Sequence, residues 1–100
     1  MSGRQVYAPG LARACDIVQE ARLSRRTSYR ALAAAMGLSN PFVADFCKGH
    51  RRLSAAVCIE LAKYLPIDAE QTFAKQVEED VTRLRNSAAY ELLRAKRGGG

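Results

Sequence analysis

Residues 28–54 read SYRALAAAMGLSNPFVADFCKGHRRLS, and this stretch decides the fold. It holds two short apolar segments, and a glycine follows each of them, Gly37 and Gly49. Glycine favours the end of a helix because it adopts the left-handed backbone conformation without strain. The stretch therefore predicts two short helices, over residues 29–36 and 42–48, joined by a tight turn at Gly37.

Polar residues in this stretch predict where each of the two helices begins. Thr27 or Ser28 would cap the first helix, because a side-chain oxygen there accepts an otherwise unpaired backbone N–H. Ser39 or Asn40 would cap the second helix in the same way. Pro41 would then take the first helical position, where its missing N–H is not needed.

The two helices meet the positional demands of a helix-turn-helix. The first helix needs apolar inward residues and a small residue where the second helix crosses it closely. The turn needs a glycine followed by an apolar residue, and the second helix needs two inward apolar residues three positions apart. The residues at these positions are Leu32, Ala33, Met36, Gly37, Leu38, Val43 and Phe46.

Helices are also expected before and after this pair. A first helix is predicted from Pro9 to about Leu23, and a fourth from a Ser54 cap to Leu65, where Pro66 stops it. Their expected apolar faces are Leu11, Cys15, Val18 and Leu23 in the first helix and Val57, Cys58, Leu61 and Leu65 in the fourth.

The last third of the chain predicts one long helix and a short one. Asp68 and Gln71 match a capping box at the start of the fifth helix. A seam of Phe73, Val77, Val81 and Leu84 follows along it, and a last helix from Ser87 to about Lys96 carries Tyr90, Leu92 and Leu93. No credible strand is present, so the fold class is all-α with five or six short helices.

The charge of this 100-residue chain is concentrated in one region. The chain has 16 Lys and Arg against 10 Asp and Glu, a net charge of +6. Residues 22–52 hold seven basic residues and one acidic residue, so this region carries a charge equal to the whole net charge. A basic patch around a helix-turn-helix favours a polyanionic partner.

Residues 28–54 resemble the lambda-repressor-like helix-turn-helix family of the Xre/Cro type, and the resemblance extends over about residues 10–66. It implies a DNA-binding domain over residues 1–67 that docks the second helix of the pair in the major groove. Residues 64–96 look like the extra helices of small repressors from filamentous bacteriophages, which are associated with self-association. This likeness implies dimerisation over residues 68–97, with a flexible tail at 98–100.

The resemblance also implies which residues contact DNA. Base readout is expected from Asn40, Pro41, Phe42, Ala44 and Asp45, with Asn40 suited to adenine and Phe42 to thymine methyls. Backbone contacts are expected from Arg25, Arg26, Ser28, Tyr29, Arg30, Lys48, His50, Arg51 and Arg52. The dimer interface is expected at Phe73, Val77, Val81, Leu84 and Tyr90, although the same seam could instead pack on the core of the monomer.

The expected function is a sequence-specific transcriptional regulator, a phage or prophage repressor that binds a near-palindromic operator in double-stranded DNA as a homodimer. Two alternatives remain open: a protein-interaction module that uses the same basic face, and a nonspecific nucleoid or RNA binder. No acid–base pair, nucleophile set or phosphate loop indicates an enzyme.

The sequence indicates no metal or cofactor and no membrane span or signal peptide, so a cytoplasmic protein is expected. Cys47 and His50 have a C-x₂-H spacing, but a zinc site needs about four ligands and only two further cysteines, Cys15 and Cys58, are present. All three cysteines are expected to be small buried hydrophobic residues.

Overall fold

The structure is a computed structural model that describes residues 13–87 and 91–95. Within these ranges it is all α-helical, as the sequence predicts, and contains no strand. Five helices follow one another: α1 (Ala14–Ser24), α2 (Tyr29–Met36), α3 (Asn40–Lys48), α4 (Ala55–Tyr64) and α5 (Ala69–Arg85). Residues 91–95 form a further helical segment. No helix in the described part of the chain is long and apolar enough to cross a membrane.

Each helix from α2 to α5 begins at a side chain that accepts a backbone N–H three residues later. The four caps are Ser28, Ser39, Ser54 and Asp68. Asp68 Oδ1 accepts the Gln71 N–H at 2.9 Å, and this single bond is the part of the predicted capping box that the structure contains.

The start of α3 differs from the prediction by one position. Because Ser39 is the cap, Asn40 is the first residue of α3 and Pro41 is the second. Proline is tolerated at the second position as well, since the first four N–H groups of a helix have no partner within the helix. The consequence matters for function, because the Asn40 side chain has no capping role.

The predicted start of the first helix at Pro9 is wrong. Arg13 is extended, with φ −89° and ψ 163°, and its N–H donates to Asp16 Oδ2 at 2.9 Å. Asp16 therefore stabilises a start at Ala14. Leu23 is predicted to lie on the apolar face of this helix, but it is 58% exposed and does not belong to the core. Pro9 and Leu11 lie outside the described residues.

The core forms where α1 packs on α3 and α5, α2 packs on α3 and α4, and α4 packs on α5. The helix-turn-helix residues Leu32, Ala33, Val43 and Phe46 are buried, and Met36 and Leu38 pack against the core from its edge. The apolar face predicted for α4 is also confirmed, with Cys58, Leu61 and Leu65 buried and Val57 partly buried.

All three cysteines are buried and free, as predicted. Burial raises the pKa of the Cys15, Cys47 and Cys58 thiols, so each is protonated and unreactive at neutral pH.

Helix α5 buries a face that its apolar pattern does not predict. Thr72 and Gln76 are buried, whereas Val77, Val81 and Leu84 are 40%, 39% and 55% exposed. Phe73 is the one residue of the predicted seam that packs against the core. Tyr90 lies outside the described residues.

Both buried polar side chains of α5 have hydrogen-bond partners, one in another part of the fold and one at the start of α5 itself. Gln76 Oε1 accepts the N–H of Leu53 at 2.8 Å, and Leu53, a residue of the α3–α4 loop, is itself fully buried. The Thr72 hydroxyl donates to the Asp68 carbonyl at 2.8 Å. These bonds remove the cost of burying the polar side chains.

Candidate nucleic-acid interface

Helices α1, α2 and α3 end in the same way. In each, one residue adopts a positive φ, and the next N–H donates to a carbonyl five residues earlier, the pattern of a Schellman motif. These bonds are Thr27 to Arg22 at 3.0 Å, Leu38 to Ala33 at 2.9 Å and His50 to Asp45 at 2.9 Å. The positive-φ residues are Arg26 (53°), Gly37 (71°) and Gly49 (84°).

The turn at Gly37 sets α3 against α2 and turns the outer face of α3 to solvent. Asn40 and Pro41 are exposed, and Ala44 and Asp45 are partly exposed. Asn40 carries an amide that can donate and accept hydrogen bonds at once. No residue in the described ranges forms a hydrogen bond with this amide. Four of the five residues predicted to read bases therefore lie at the surface of α3.

Phe42, the fifth of these residues, lies partly under the surface. Its ring packs edge-on against Phe46, with the ring centroids 4.9 Å apart. The guanidinium carbon of Arg51 lies 4.5 Å from the centroid of the Phe42 ring. Phe42 thus joins the α3–α4 loop to the first turn of α3.

Asp45, the acidic residue of α3, has a partner in the same loop. Its Oδ1 lies 3.8 Å from His50 Nδ1, and the His50 side chain is largely exposed while that of Asp45 is partly exposed. Cys47, which the sequence places near His50, is instead buried in the core. Within the described residues no group of three or more His, Cys, Asp or Glu side chains could hold a metal ion.

Tyr29, at the start of α2, is held by residues of α1. Gln19 Nε2 donates to the Tyr29 hydroxyl at 2.9 Å, and the Arg22 guanidinium lies 4.1 Å from the ring centroid. Lys48 Nζ lies 5.8 Å from the same centroid. Arg22 also donates to Gln19 and to the Thr27 carbonyl, so it links the end of α1 to the start of α2. Sequence reasoning counted the charge of Arg22 and missed this cluster, because the partners are ten and seven residues apart.

Three of the arginines predicted to contact the DNA backbone have no partner in the described part of the protein, whereas Ser28 has a structural role. Arg25, Arg26 and Arg30 are exposed, and no protein acceptor in the described ranges pairs with them. Ser28 uses its hydroxyl as a helix cap, accepting the Ala31 N–H at 3.0 Å.

Arg52, which is predicted to contact the DNA backbone, has an acidic partner within the protein. It forms an ion pair with Asp80 of α5, which also accepts bonds from Gln76 and Arg83. The Arg52 hydrogen bond is the main reason why the pKa of Asp80 lies below its usual range. Arg52 therefore joins the α3–α4 loop to α5, a role that the sequence does not reveal because the two residues are 28 positions apart.

A cleft of about 340 Å³ lies between this loop, the start of α1 and α5. Its wall includes Arg13, Arg51, Arg52 and Arg83, with Cys15 among the lining residues. Asp16 and Asp80 already pair with three of these arginines, so the cleft is less positive than its arginine count suggests.

The two crossed helices, the glycine turn and the basic surface define a helix-turn-helix protein of the DNA-binding class. Residues 18–71, more than half of the chain, match the model of a helix-turn-helix family of the Xre/Cro type, and the chain belongs to this family. Members are DNA-binding transcriptional regulators and typically not enzymes. Comparisons with curated proteins and with solved structures found no match.

Proposed function

We propose that the protein is a sequence-specific repressor that binds a near-palindromic operator in double-stranded DNA as a homodimer. The observation that carries this proposal is the outer face of α3, where Asn40 is exposed and free of the capping role that Ser39 performs. A bidentate side-chain amide at the N-terminal end of a recognition helix suits adenine in the major groove.

The other residues of that face have matching roles. Pro41 and Ala44 offer small apolar contacts to thymine methyls, and Asp45 can accept from the cytosine amino group. A face built from such groups distinguishes base pairs, which a purely basic surface does not.

Phosphate contacts are assigned to the exposed, unpaired arginines beside the helix-turn-helix. Arg25 and Arg26 at the end of α1 and Arg30 in α2 are exposed and form no ion pair within the described residues. Their guanidinium groups are available to phosphates. Along the chain, Tyr29 lies between Arg26 and Arg30, at the start of α2. Lys48 and His50 are exposed at the C-terminal end of α3 and add further donors for phosphates.

Dimerisation is assigned to α5. Val77, Val81 and Leu84 form an exposed apolar stripe on a helix whose adjacent face is buried against α4 and α1. Such a stripe is stabilised when a second copy covers it, and a two-fold dimer explains a near-palindromic site. The likeness of this region to the extra helices of filamentous-phage repressors supports a phage or prophage origin and a repressor role, in which the bound dimer blocks RNA polymerase.

Selection of bound sites from random duplex DNA tests the proposal directly. We expect a near-palindromic motif with its half-site centres about one helical turn, or a multiple of it, apart. A non-palindromic motif would contradict the dimer and leave the sequence preference standing. Enrichment of no motif, with equal affinity for every duplex, would contradict sequence-specific repression.

A further inference from the structure

The environment of Arg51 separates it from the other arginines of the basic surface. Its guanidinium carbon lies 4.5 Å from the centre of the Phe42 ring, which is within the range of a cation–π contact. Phe42 belongs to the first turn of α3 and is itself braced by the buried Phe46. The side chain of Arg51 is therefore laid against the part of α3 that carries Asn40.

The donors of Arg51 are left unused by this contact. Within residues 13–87 and 91–95, no hydrogen bond or ion pair holds its N–H groups. By contrast, Arg22 donates to Gln19 and to a backbone carbonyl, and Arg52 is paired with Asp80. The Phe42 ring thus limits where the Arg51 guanidinium can lie, while the N–H donors of that guanidinium stay free.

A guanidinium that an aromatic ring holds beside α3, with its donors free, suits base recognition. Guanine presents O6 and N7 as two neighbouring acceptors in the major groove, and arginine binds both at once when it is correctly oriented. Stacking on an aromatic ring lowers the conformational entropy that the long side chain loses on binding. A phosphate contact carries no such sequence information, and a lysine can make it as a point charge.

We propose that Arg51 is a specificity-determining residue that reads a guanine in each half-site, and that Phe42 is the positioning residue that supports it. This inference rests on the proposed function, and it assigns to Phe42 a supporting role in place of direct contact with a thymine methyl. It makes the reading surface a composite of the first turn of α3 and the loop that follows α3.

The test compares base preferences, which a phosphate contact does not change. The affinities of the wild type and of Arg51→Ala are measured on the selected operator and on versions with each base substituted in turn. We expect Arg51→Ala to reduce the preference for guanine at one position of each half-site by about tenfold or more. Preferences at the other positions should remain within about twofold.

Two further variants separate orientation from charge. Arg51→Lys keeps the charge but loses the bidentate fork, so it should lose most of the same preference. Phe42→Leu keeps an apolar group against the core and removes the stacking surface, and it should weaken the preference at that same position. Thermal unfolding of Phe42→Leu verifies that the domain is folded. Arg25→Ala is the matched control and should weaken binding to every operator version by the same factor.

The outcomes distinguish this inference from the function on which it rests. If Arg51→Ala weakens all operator versions equally, as Arg25→Ala is expected to do, Arg51 contacts a phosphate and the inference is overturned. If folded Phe42→Leu retains full guanine preference, the positioning role of Phe42 is overturned. A wild-type protein without any base preference would overturn the proposed function together with this inference.

Discussion

Arg26 is held in a backbone conformation that arginine rarely adopts. Its φ of 53° is the only positive value among the described residues other than glycine. The same position at the ends of α2 and α3 is occupied by Gly37 and Gly49. A residue with a Cβ pays about 1–2 kcal/mol in the left-handed region. An arginine kept there at this cost is consistent with the phosphate contact proposed for its guanidinium.

Replacing Arg26 with glycine should therefore change stability and binding in opposite directions. We expect Arg26→Gly to raise the free energy of unfolding by up to about 1 kcal/mol, since relief of strain outweighs the entropy that glycine adds to the unfolded chain. DNA affinity should fall, with a salt dependence weaker by about one counterion. Urea unfolding and binding at several salt concentrations measure the two effects.

Arg25→Gly is the control for this pair of measurements, because Arg25 has an ordinary right-handed backbone. Arg25→Gly removes the same charge as Arg26→Gly, but its free energy of unfolding should not rise. A loss of stability in Arg26→Gly would show that Arg26 is not strained where it stands.

Asn40 tests base readout at the level of a single side chain. We expect Asn40→Ala to weaken operator binding by about 1–3 kcal/mol and to relax selectivity at one base pair of each half-site. Because Ser39 caps α3, the thermal stability of the variant should stay close to that of the wild type. Unchanged operator affinity in Asn40→Ala would contradict the assignment of Asn40 to base reading.

At the scale of the helices, two glycines end α2 and α3 with the same backbone conformation in different surroundings. A Cβ at Gly37 would meet no atom within 4 Å, whereas one at Gly49 would lie 2.9 Å from Cys15 Sγ and 3.2 Å from Arg13 Nη1. Gly37 thus serves the turn alone, and Gly49 also allows α1 to approach the end of α3.

Alanine at the two positions should separate these effects. Gly37→Ala is expected to cost about 1–2 kcal/mol of unfolding free energy from the positive φ alone. Gly49→Ala should cost more, because the buried Cys15 has little room to move. Denaturant unfolding of both variants provides the comparison, and equal losses would show that the contact with Cys15 is relieved without cost.

Helix α5 is expected to pair two copies of the chain through its apolar stripe. Val81→Asp should shift the protein towards monomer, since a carboxylate in the dimer interface would lose its hydration. Thr82→Asp adds the same charge at an exposed position outside the stripe and should leave the dimer intact. Analytical ultracentrifugation over a range of concentrations measures both. Identical association of the two variants would place the interface elsewhere.

At the scale of the whole molecule, three polar side chains of α5 join this helix to the DNA-binding unit. Gln76 accepts the Leu53 N–H, Glu79 accepts the Ala14 N–H at the start of α1, and Asp80 pairs with Arg52. Gln76 lies one turn before Glu79 and Asp80, and the three side chains are adjacent to the apolar stripe. The orientation of the stripe relative to α3 is therefore fixed, which would set the distance between half-sites in a dimer.

The Arg52–Asp80 pair should make stability depend on pH. Arg52 lowers the pKa of Asp80 in the folded protein, so the pair stabilises the fold above the ordinary aspartate pKa of about 4. This contribution is lost as the pH falls through the lowered pKa of the folded state. We expect Asp80→Asn to melt below the wild type at pH 7, with a difference in Tm that shrinks below about pH 4.

Glu78→Gln is the control, because Glu78 pairs with Lys75 on its own helix and does not hold α5 to the loop. Its melting curve should stay near that of the wild type across the same pH series. A Tm difference for Asp80→Asn that is constant from pH 7 to pH 2 would contradict the ionic nature of the link.

Much of the fold could be predicted from local patterns. The caps at Ser28, Ser54 and Asp68 and the glycine ends of α2 and α3 depend on neighbouring residues, so they can be read along the chain. The start of α1 was missed because its cap is the Asp16 carboxylate, which acts from inside the helix on the N–H of Arg13. Pro9 is a local helix-start signal as strong as Asp16, and it favours a start several residues earlier.

The candidate site could be predicted as a set of residues but not as an arrangement. Position along the chain identified the surface of α3 and the basic residues around it. It could not show that Arg51 lies on Phe42 or that Arg52 pairs with Asp80. Such contacts join residues 9 and 28 positions apart, and they depend on how the helices pack.

The sequence by itself determined the helix-turn-helix, the order of its helices and the place of its positive charge, because apolar spacing, caps and glycines act over a few residues. Only the tertiary structure decided which face of α5 is buried. Thr72 and Gln76 face the core, where Leu53 of the α3–α4 loop donates to Gln76 and the Thr72 hydroxyl donates to the Asp68 carbonyl at the start of the same helix. The apolar Val77 and Val81 are left at the surface. Burial is decided by where the other helices lie, and hydrophobicity along one helix does not contain that information.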